Sequence, residues 1–385
     1  MTMRRLGIFI LAALTACTAK APLSWQVVSS EMARCPEATY LDGQEGRLKW
    51  NYTTGLELKA FLDADSLQAL DYVDAWYDAI IDERGRIFKY RKSNYSLDHI
   101  CPGNTLFRLY DMTGKEKYRA AMDSLYVQLQ EQPRTYDGGF WHKAIYPGQM
   151  WLDGLYMAQP FYARYTNRYV ADSLQRAANY ADIVRQFVLV FEHCIDPTTG
   201  LLRHAWDSTL EMPWCNPETG QSAHAWGRAM GWYAMALVDV LELMPDGTGK
   251  DTLAQLLTAV YGALPVYADA ATGMWYQVLD SPYREGNYLE ATASAMFVYG
   301  WLKGVRLGLL GGREAAVQAY EALLRTFVTE ENGLVNLNHC CEVAGLGGKQ
   351  HRKGDFQYYI SEPIRANDPK GIGPLIWAAL EYEKL

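Results

Sequence analysis

Basic residues are in the minority in this sequence of 385 residues. Its 36 Lys and Arg face 44 Asp and Glu, leaving a net charge of -8. A nucleic-acid partner normally requires a basic face, so the charge argues against that class. A small anionic substrate needs only a few local cations. Long apolar runs are missing after the first twenty residues, so no later segment is expected to cross a bilayer as a helix. There is no His-Glu-x-x-His and no Gly-x-Ser-x-Gly, which removes support for zinc-peptidase and serine-esterase chemistry. In the glycine-rich run Gly345 to Lys349, Lys349 is followed by Gln350, not Ser or Thr, so a phosphate loop is not expected there. The 7 cysteines form no Cys-x-x-Cys pair and no zinc-ligand spacing. Strand-like alternation is scarce.

Aromatic residues are plentiful, at 13% with 12 Trp and 27 Tyr. They serve helical cores and also carbohydrate sites, where ring faces act as stacking platforms. Arg4 and Arg5 precede an apolar run from Leu6 to Leu14, too short to span a bilayer. The run ends in Leu14-Thr15-Ala16-Cys17, which resembles a bacterial lipobox. Residues 1–20 are therefore read as a lipoprotein-type signal segment in which Cys17 is lipidated. The expected location is outside the cytoplasm, facing the periplasm or associated with the outer membrane, with membrane contact only through the N-terminal lipid. The six remaining cysteines (Cys35, Cys101, Cys194, Cys215, Cys340 and Cys341) are expected mostly as buried free thiols.

Helical patterns alternate with short breaks along the rest. Leu70, Val73, Trp76 and Ile80 mark one helix, with Asp65 or Ser66 as its cap. Further helices are expected over 24–35, 56–62, 116–129, 170–190, 223–243, 251–264, 288–307, 313–327 and 372–385. One more is expected to open at Asp98 and run through Tyr110, and another to follow Trp151. Helical hairpins repeated through one chain make an open solenoid or a closed toroid. About twelve helices, with the first packing beside the last, fit an all-α (α/α)6 barrel, read as one domain over 21–385.

The densest stretch runs from Gly138-Gly139-Phe140-Trp141-His142-Lys143 to Gln149-Met150-Trp151-Leu152-Asp153-Gly154. A solvated loop would not carry so many aromatics, and a plain core helix would not carry the His, Lys, Gly and Pro. Asp153 is expected in the first turn of a helix, walled by Trp151 and Leu152. A partly desolvated carboxyl holds its proton more readily and can act as a general acid. The alternative is an Asp that only complements the helix dipole.

These segments, with Trp226-Gly227-Arg228-Ala-Met-Gly-Trp232, Tyr358-Tyr359-Ile360-Ser361-Glu362-Pro363 and Asn367-Asp368-Pro369-Lys370-Gly371, resemble glycoside hydrolase family 105 in family order. The resemblance implies an (α/α)6 barrel that hydrolyses unsaturated uronyl oligosaccharides, needing no metal or organic cofactor. It implies Asp153 as general acid/base, with Asp98 and His142 as its catalytic companions. Trp141, Lys143, Trp151, His204, Trp226, Gly227, Arg228, Trp232 and Lys370 become candidates for holding the substrate. A 4,5-unsaturated uronate is an enol ether, which can be protonated on carbon, so one positioned carboxyl could suffice. The implied activity is that of an unsaturated rhamnogalacturonyl hydrolase. The alternatives are an unsaturated β-glucuronyl hydrolase acting on arabinogalactan, ulvan or glycosaminoglycan fragments, and a non-catalytic sugar-binding toroid. An ordinary two-carboxylate glycosidase would need a second acid, for which Glu290 is the spare candidate.

Overall fold

The structure is a computed structural model that describes residues 20–385; residues 1–19, with Cys17 and all but the last residue of the expected signal segment, lie outside the described residues. Among the described residues twelve long helices form six hairpins. The helices are α1 (Leu23–Arg34), α2 (Tyr52–Ala64), α3 (Ser66–Ile80), α4 (Gly103–Thr113), α5 (Glu116–Gln130), α6 (Leu152–Tyr169), α7 (Ser173–Cys194), α8 (Gly227–Leu243), α9 (Lys250–Ala263), α10 (Ala291–Arg306) and α11 (Arg313–Phe327), with the short α12 (Phe356–Ser361) before the last, α13 (Pro369–Lys384). Helices α2, α4, α6, α8, α10 and α13 form an inner ring, each touching the next, and α13 returns to α2. Helices α3, α5, α7, α9 and α11 back them from outside, and α1 supplies the outer partner of α13, so the first helix closes the ring on the last. The expected (α/α)6 barrel is what forms.

Burial explains the two layers. Every residue of α8 from Gly227 to Leu241 is buried, as an inner helix hydrophobic on all sides requires. Small residues let inner helices approach closely. A Cβ on Gly231 would sit 2.6 Å from Met296 Sδ on α10. Outer helices keep a polar face: α7 buries Tyr180, Ile183, Phe187 and Val190 on one stripe. Caps fix several starts. Asp65 accepts from Leu67 N and Gln68 N at 3.0 and 3.1 Å ahead of α3, and Gly114, with φ of 67°, ends α4.

Three local expectations are corrected. Asp98 does not open a long helix: Leu97–His99 is a single 3-10 turn, and α4 starts only at Gly103, just after Pro102. Helix α2 begins at Tyr52, four residues before the first strongly apolar position of its pattern. A hairpin, β3 (Val328–Glu331) with β4 (Leu334–Leu337), was hidden because its outer strand is nearly all polar. Besides it, β1 (Gln149–Trp151) pairs antiparallel with β2 (Ala205–Asp207), and β5 (Cys340–Cys341) with β6 (Ile364–Arg365). The six described cysteines are all free, four of them buried.

Candidate active site

The inner helices all begin at one mouth of the barrel. Tyr52 is the first residue of α2, and Asp98 lies in the turn before α4. Asp153 is in the first turn of α6, Gly227 and Arg228 open α8, Glu290 caps α10, and Asp368 caps α13. The positive ends of six helix dipoles converge there, a field that favours an anionic guest.

The loop from Phe140 to Gln149 is sewn to both neighbours. His142 N donates to Gln149 O at 2.9 Å, and His142 O accepts from Leu97 N at 3.0 Å, which ties the loop to the turn holding Asp98. Trp151 pairs with Ala205 across the β1–β2 ribbon, and Leu152 N donates to His204 O at 3.2 Å, so the ribbon sets His204 beside the start of α6. The Trp151 ring belongs to an aromatic cluster. It lies parallel to His142 at 4.8 Å and to Tyr146 at 5.0 Å, while His204 meets it edge-on at 5.3 Å. Gly154 makes this possible: a Cβ there would lie 3.1 Å from His142 Nδ1 and 3.0 Å from Leu97 Cδ1.

Two aspartates at the mouth have different surroundings. Asp98 faces His142 Nε2 at 3.3 Å and pairs with the Lys143 ammonium. Burial pushes the Asp98 carboxyl up, but Lys143 and His142 together outweigh it and hold it well below the usual carboxylate range. Among the described residues no Lys or Arg is paired with Asp153. Its Oδ2 is buried, lacks a hydrogen-bond partner among the described residues, and lies 3.4 Å from His204 Nε2. His204 is fully buried. Burial depresses its pKa against the opposing pull of Asp153, which keeps the ring neutral at neutral pH. Its Nδ1 meets Tyr359 Oη at 2.7 Å. Burial raises the Tyr359 hydroxyl pKa, so it stays protonated and can donate to Nδ1. Nε2 then carries the hydrogen and faces Asp153.

The remaining candidates sort by burial. Arg228 is only 1% exposed; its guanidinium lies 4.7 Å over Trp226, and Nη1 donates to Cys341 O. Its buried Nε has no partner among the described residues. Trp226 Nε1 donates to Gln277 Oε1 at 3.0 Å, and Trp226 stacks on Tyr359 at 5.9 Å. Trp232 packs against Tyr156 at 5.0 Å and Tyr52 at 6.3 Å, inside the ring beneath the mouth. Gly227 is small because Tyr276 O would be 2.9 Å from a Cβ there. Lys370 is paired with Asp368 at 2.8 Å. A cleft of about 370 Å³ opens beside Asp98, lined also by Tyr52, Arg365 and Lys370. Trp141 is half-buried, with a buried Nε1 that has no partner among the described residues.

Tyr359, Gln277 and Arg365 are positions that sequence reasoning did not single out. Gln277 joins Trp226 to the Tyr359 carbonyl, to which Nε2 donates at 3.1 Å. The Tyr358-Tyr359-Ile360-Ser361-Glu362-Pro363 motif was the available signal for Tyr359. Glu290 is fully buried, and both oxygens are engaged: Oε1 accepts from Cys341 N at 2.9 Å and Oε2 from Ala293 N at 2.6 Å. It is a helix cap, and the second acid of a two-carboxylate scheme is not found there. Among the described residues no group of three or more His, Cys, Asp or Glu is arranged to hold a metal ion.

Residues 23–385 match the family described as Glycosyl Hydrolase Family 88. A solved family 105 glycoside hydrolase from C. acetobutylicum is similar, with 44% identity and a TM-score of 0.87 over 94% of this chain and 99% of that one. A protein of Agrobacterium fabrum, Atu3128, is 40% identical over 209 residues, 52% of this chain and 89% of its own length. An unsaturated rhamnogalacturonyl hydrolase of Bacillus subtilis is 31% identical over 216 residues, 52% of this chain and 56% of its own. With its twelve-helix ring and its match over residues 23–385, the chain belongs to glycosyl hydrolase family 88 and is a glycoside hydrolase similar to the family 105 enzymes.

Proposed function

We propose that this enzyme removes a 4,5-unsaturated uronic acid from the non-reducing end of lyase-generated oligosaccharides by hydrating the C4–C5 double bond. One observation carries the reading: Asp153 is a mouth carboxyl with no Lys or Arg paired to it among the described residues, its Oδ2 unpartnered and 3.4 Å from neutral His204. Asp98 is held ionised by Lys143 and His142, and Glu290 is consumed as a cap. One free acid/base suits an enol ether, whereas glycosidic-oxygen protonation normally uses two.

In this scheme the Asp153 carboxyl donates its proton to C4 of the uronate, and positive charge develops at C5 and the ring oxygen. The resulting carboxylate takes a proton from the water that attacks C5, which restores the acid. The hemiketal then opens, and the neighbouring sugar leaves as an alcohol. His204 Nε2–H steadies the carboxylate between the two proton transfers. Six helix N-termini with Arg228 and Lys370 favour the uronate carboxylate. The half-buried Trp141 offers a ring surface beside it, Trp151 and Trp226 back the site from within, and His142 and Lys143 keep Asp98 charged.

The finer reading is an unsaturated rhamnogalacturonyl hydrolase, supported by the similarity to the Bacillus subtilis enzyme of that name. The Leu14-Thr15-Ala16-Cys17 pattern supports an exported, lipid-tethered protein as part of the same proposal. The test is loss of the conjugated uronate's ultraviolet absorbance on a panel of lyase-generated disaccharides. Loss on the rhamnose-linked member, with release of rhamnose, supports the finer reading. Loss only on a glycosaminoglycan or ulvan member moves the enzyme to the glucuronyl class. Unchanged absorbance across the panel with folded protein overturns the hydration scheme.

A further inference from the structure

The glycine-rich segment Gly345–Gly348 is not explained by the chemistry at Asp153. In the structure it wraps the guanidinium of Arg352. Gly347 and Arg352 form an antiparallel bridge, with Gly347 N donating to Arg352 O at 2.9 Å. Arg352 Nε donates to Gly347 O at 3.2 Å, and Nη2 to Tyr146 Oη at 3.2 Å and Leu346 O at 3.4 Å. None of these partners carries charge. A Cβ on Gly345 would lie 2.6 Å from Nη1, and one on Gly348 would lie 3.3 Å from Nη2, so side chains there would crowd the guanidinium. The loop is shaped around a cation whose charge it leaves unmatched.

That charge lies next to the active site. Tyr146, which takes the Arg352 hydrogen bond, stacks on Trp151, and Trp151 stacks on His142. Arg352 also lines a second cavity, of about 490 Å³, together with His351 and Lys353. Val343 lines both this cavity and the cleft beside Asp98. Asp355, on the same wall, is committed to capping α12 through Tyr358 N at 2.8 Å.

The geometry points to Arg352 as a specificity-determining residue for the leaving side of the substrate, reading a carboxylate or sulfate carried beyond the unsaturated uronate. This rests on the hydrolytic reading above. The uronate occupies the mouth near Asp153, and the remaining sugars run over Val343 into the second cavity. Nε and Nη2 are engaged within the protein, and Nη1 has no hydrogen-bond partner among the described residues, so Nη1 is the nitrogen left to donate to a carboxylate or sulfate oxygen.

The experiment measures kcat and KM for wild type, Arg352→Gln and Arg352→Lys on three unsaturated substrates. One has a neutral leaving sugar, one a uronate in the leaving chain, and one a sulfate there. With the charged substrates, Arg352→Gln is expected to raise KM on the order of tenfold with kcat little changed. The neutral substrate should be turned over equally by wild type and both variants, and Arg352→Lys should recover part of the loss. Which charged substrate responds tells carboxylate from sulfate. Equal losses on neutral and charged substrates, or a wild-type preference for the neutral one, would overturn the assignment. Absence of wild-type turnover on all three would instead sink the hydrolytic reading, so the two failures are distinguishable.

Discussion

His204 Nε2 stands 3.4 Å from Asp153 Oδ2, and among the described residues neither atom is otherwise hydrogen-bonded. Both are buried, so each leaves part of its bonding capacity for substrate or water. Hydrogen bonds of this kind are often long in the empty site and tighten when the reacting atoms arrive. Asp153→Asn keeps the shape and removes the acid. We expect kcat to fall by roughly 10²- to 10⁴-fold, with thermal unfolding little changed. A variant as active as wild type would remove Asp153 from the mechanism.

Tyr359 sets the tautomer of His204 through the 2.7 Å contact at Nδ1. Tyr359→Phe removes the hydroxyl and leaves a buried nitrogen unpaired, a cost of about 1–3 kcal/mol. We expect kcat to drop about tenfold, in line with a lost interaction of that size, and the pH profile of kcat to move. A stability loss with an unmoved profile would make Tyr359 purely structural.

Gly154 is expected to be intolerant for a reason unrelated to helix propensity. Gly154→Ala puts a methyl against His142 Nδ1 and Leu97, which must shift. Overpacking of this kind costs about 1–3 kcal/mol, and the displaced His142 should lower kcat. Gly262→Ala in α9 is the contrast, since nothing lies within 4 Å of a Cβ there. It should stabilise the fold by roughly 0.5–1 kcal/mol without altering activity. Urea midpoints and kcat for both variants check this.

Glu57 on α2 is 1% exposed, and neither carboxylate oxygen has a partner among the described residues. Burial first, and Glu31 next, raise its pKa well above the ordinary value; Glu31 itself is pushed up to about 7, chiefly by burial. The folded protein thus binds more protons than the unfolded chain above pH 4.5. Stability therefore falls as pH rises from there towards the folded pKa values. Glu57→Gln removes this proton uptake. We expect it to gain on wild type as pH rises from 5 to 8, by on the order of 1–3 kcal/mol. Chemical denaturation at both ends of that range measures it, and a constant difference would contradict the account.

Much of this was legible in the chain. Leu70, Val73, Trp76 and Ile80 marked α3 because helical periodicity is local, and the limits of α11 match the 313–327 pattern. Asp153 was found in the first turn of α6 because aromatic and glycine residues crowd its approach. The 3-10 turn at Asp98 was misread as a helix start, since its conformation depends on a backbone bond from His142, more than forty residues away.

The sequence alone determined the helix count, the hairpin order and the residue types at the mouth, because these follow from periodicity and local chemistry. It could not decide the charge partners. Asp98 meets Lys143, Asp153 meets His204, and Glu290 is spent on Ala293 and Cys341 only once the ring closes. Three similar carboxylates acquire three different functions because distance and burial, which only the tertiary structure provides, decide which charges are matched and which acid remains free.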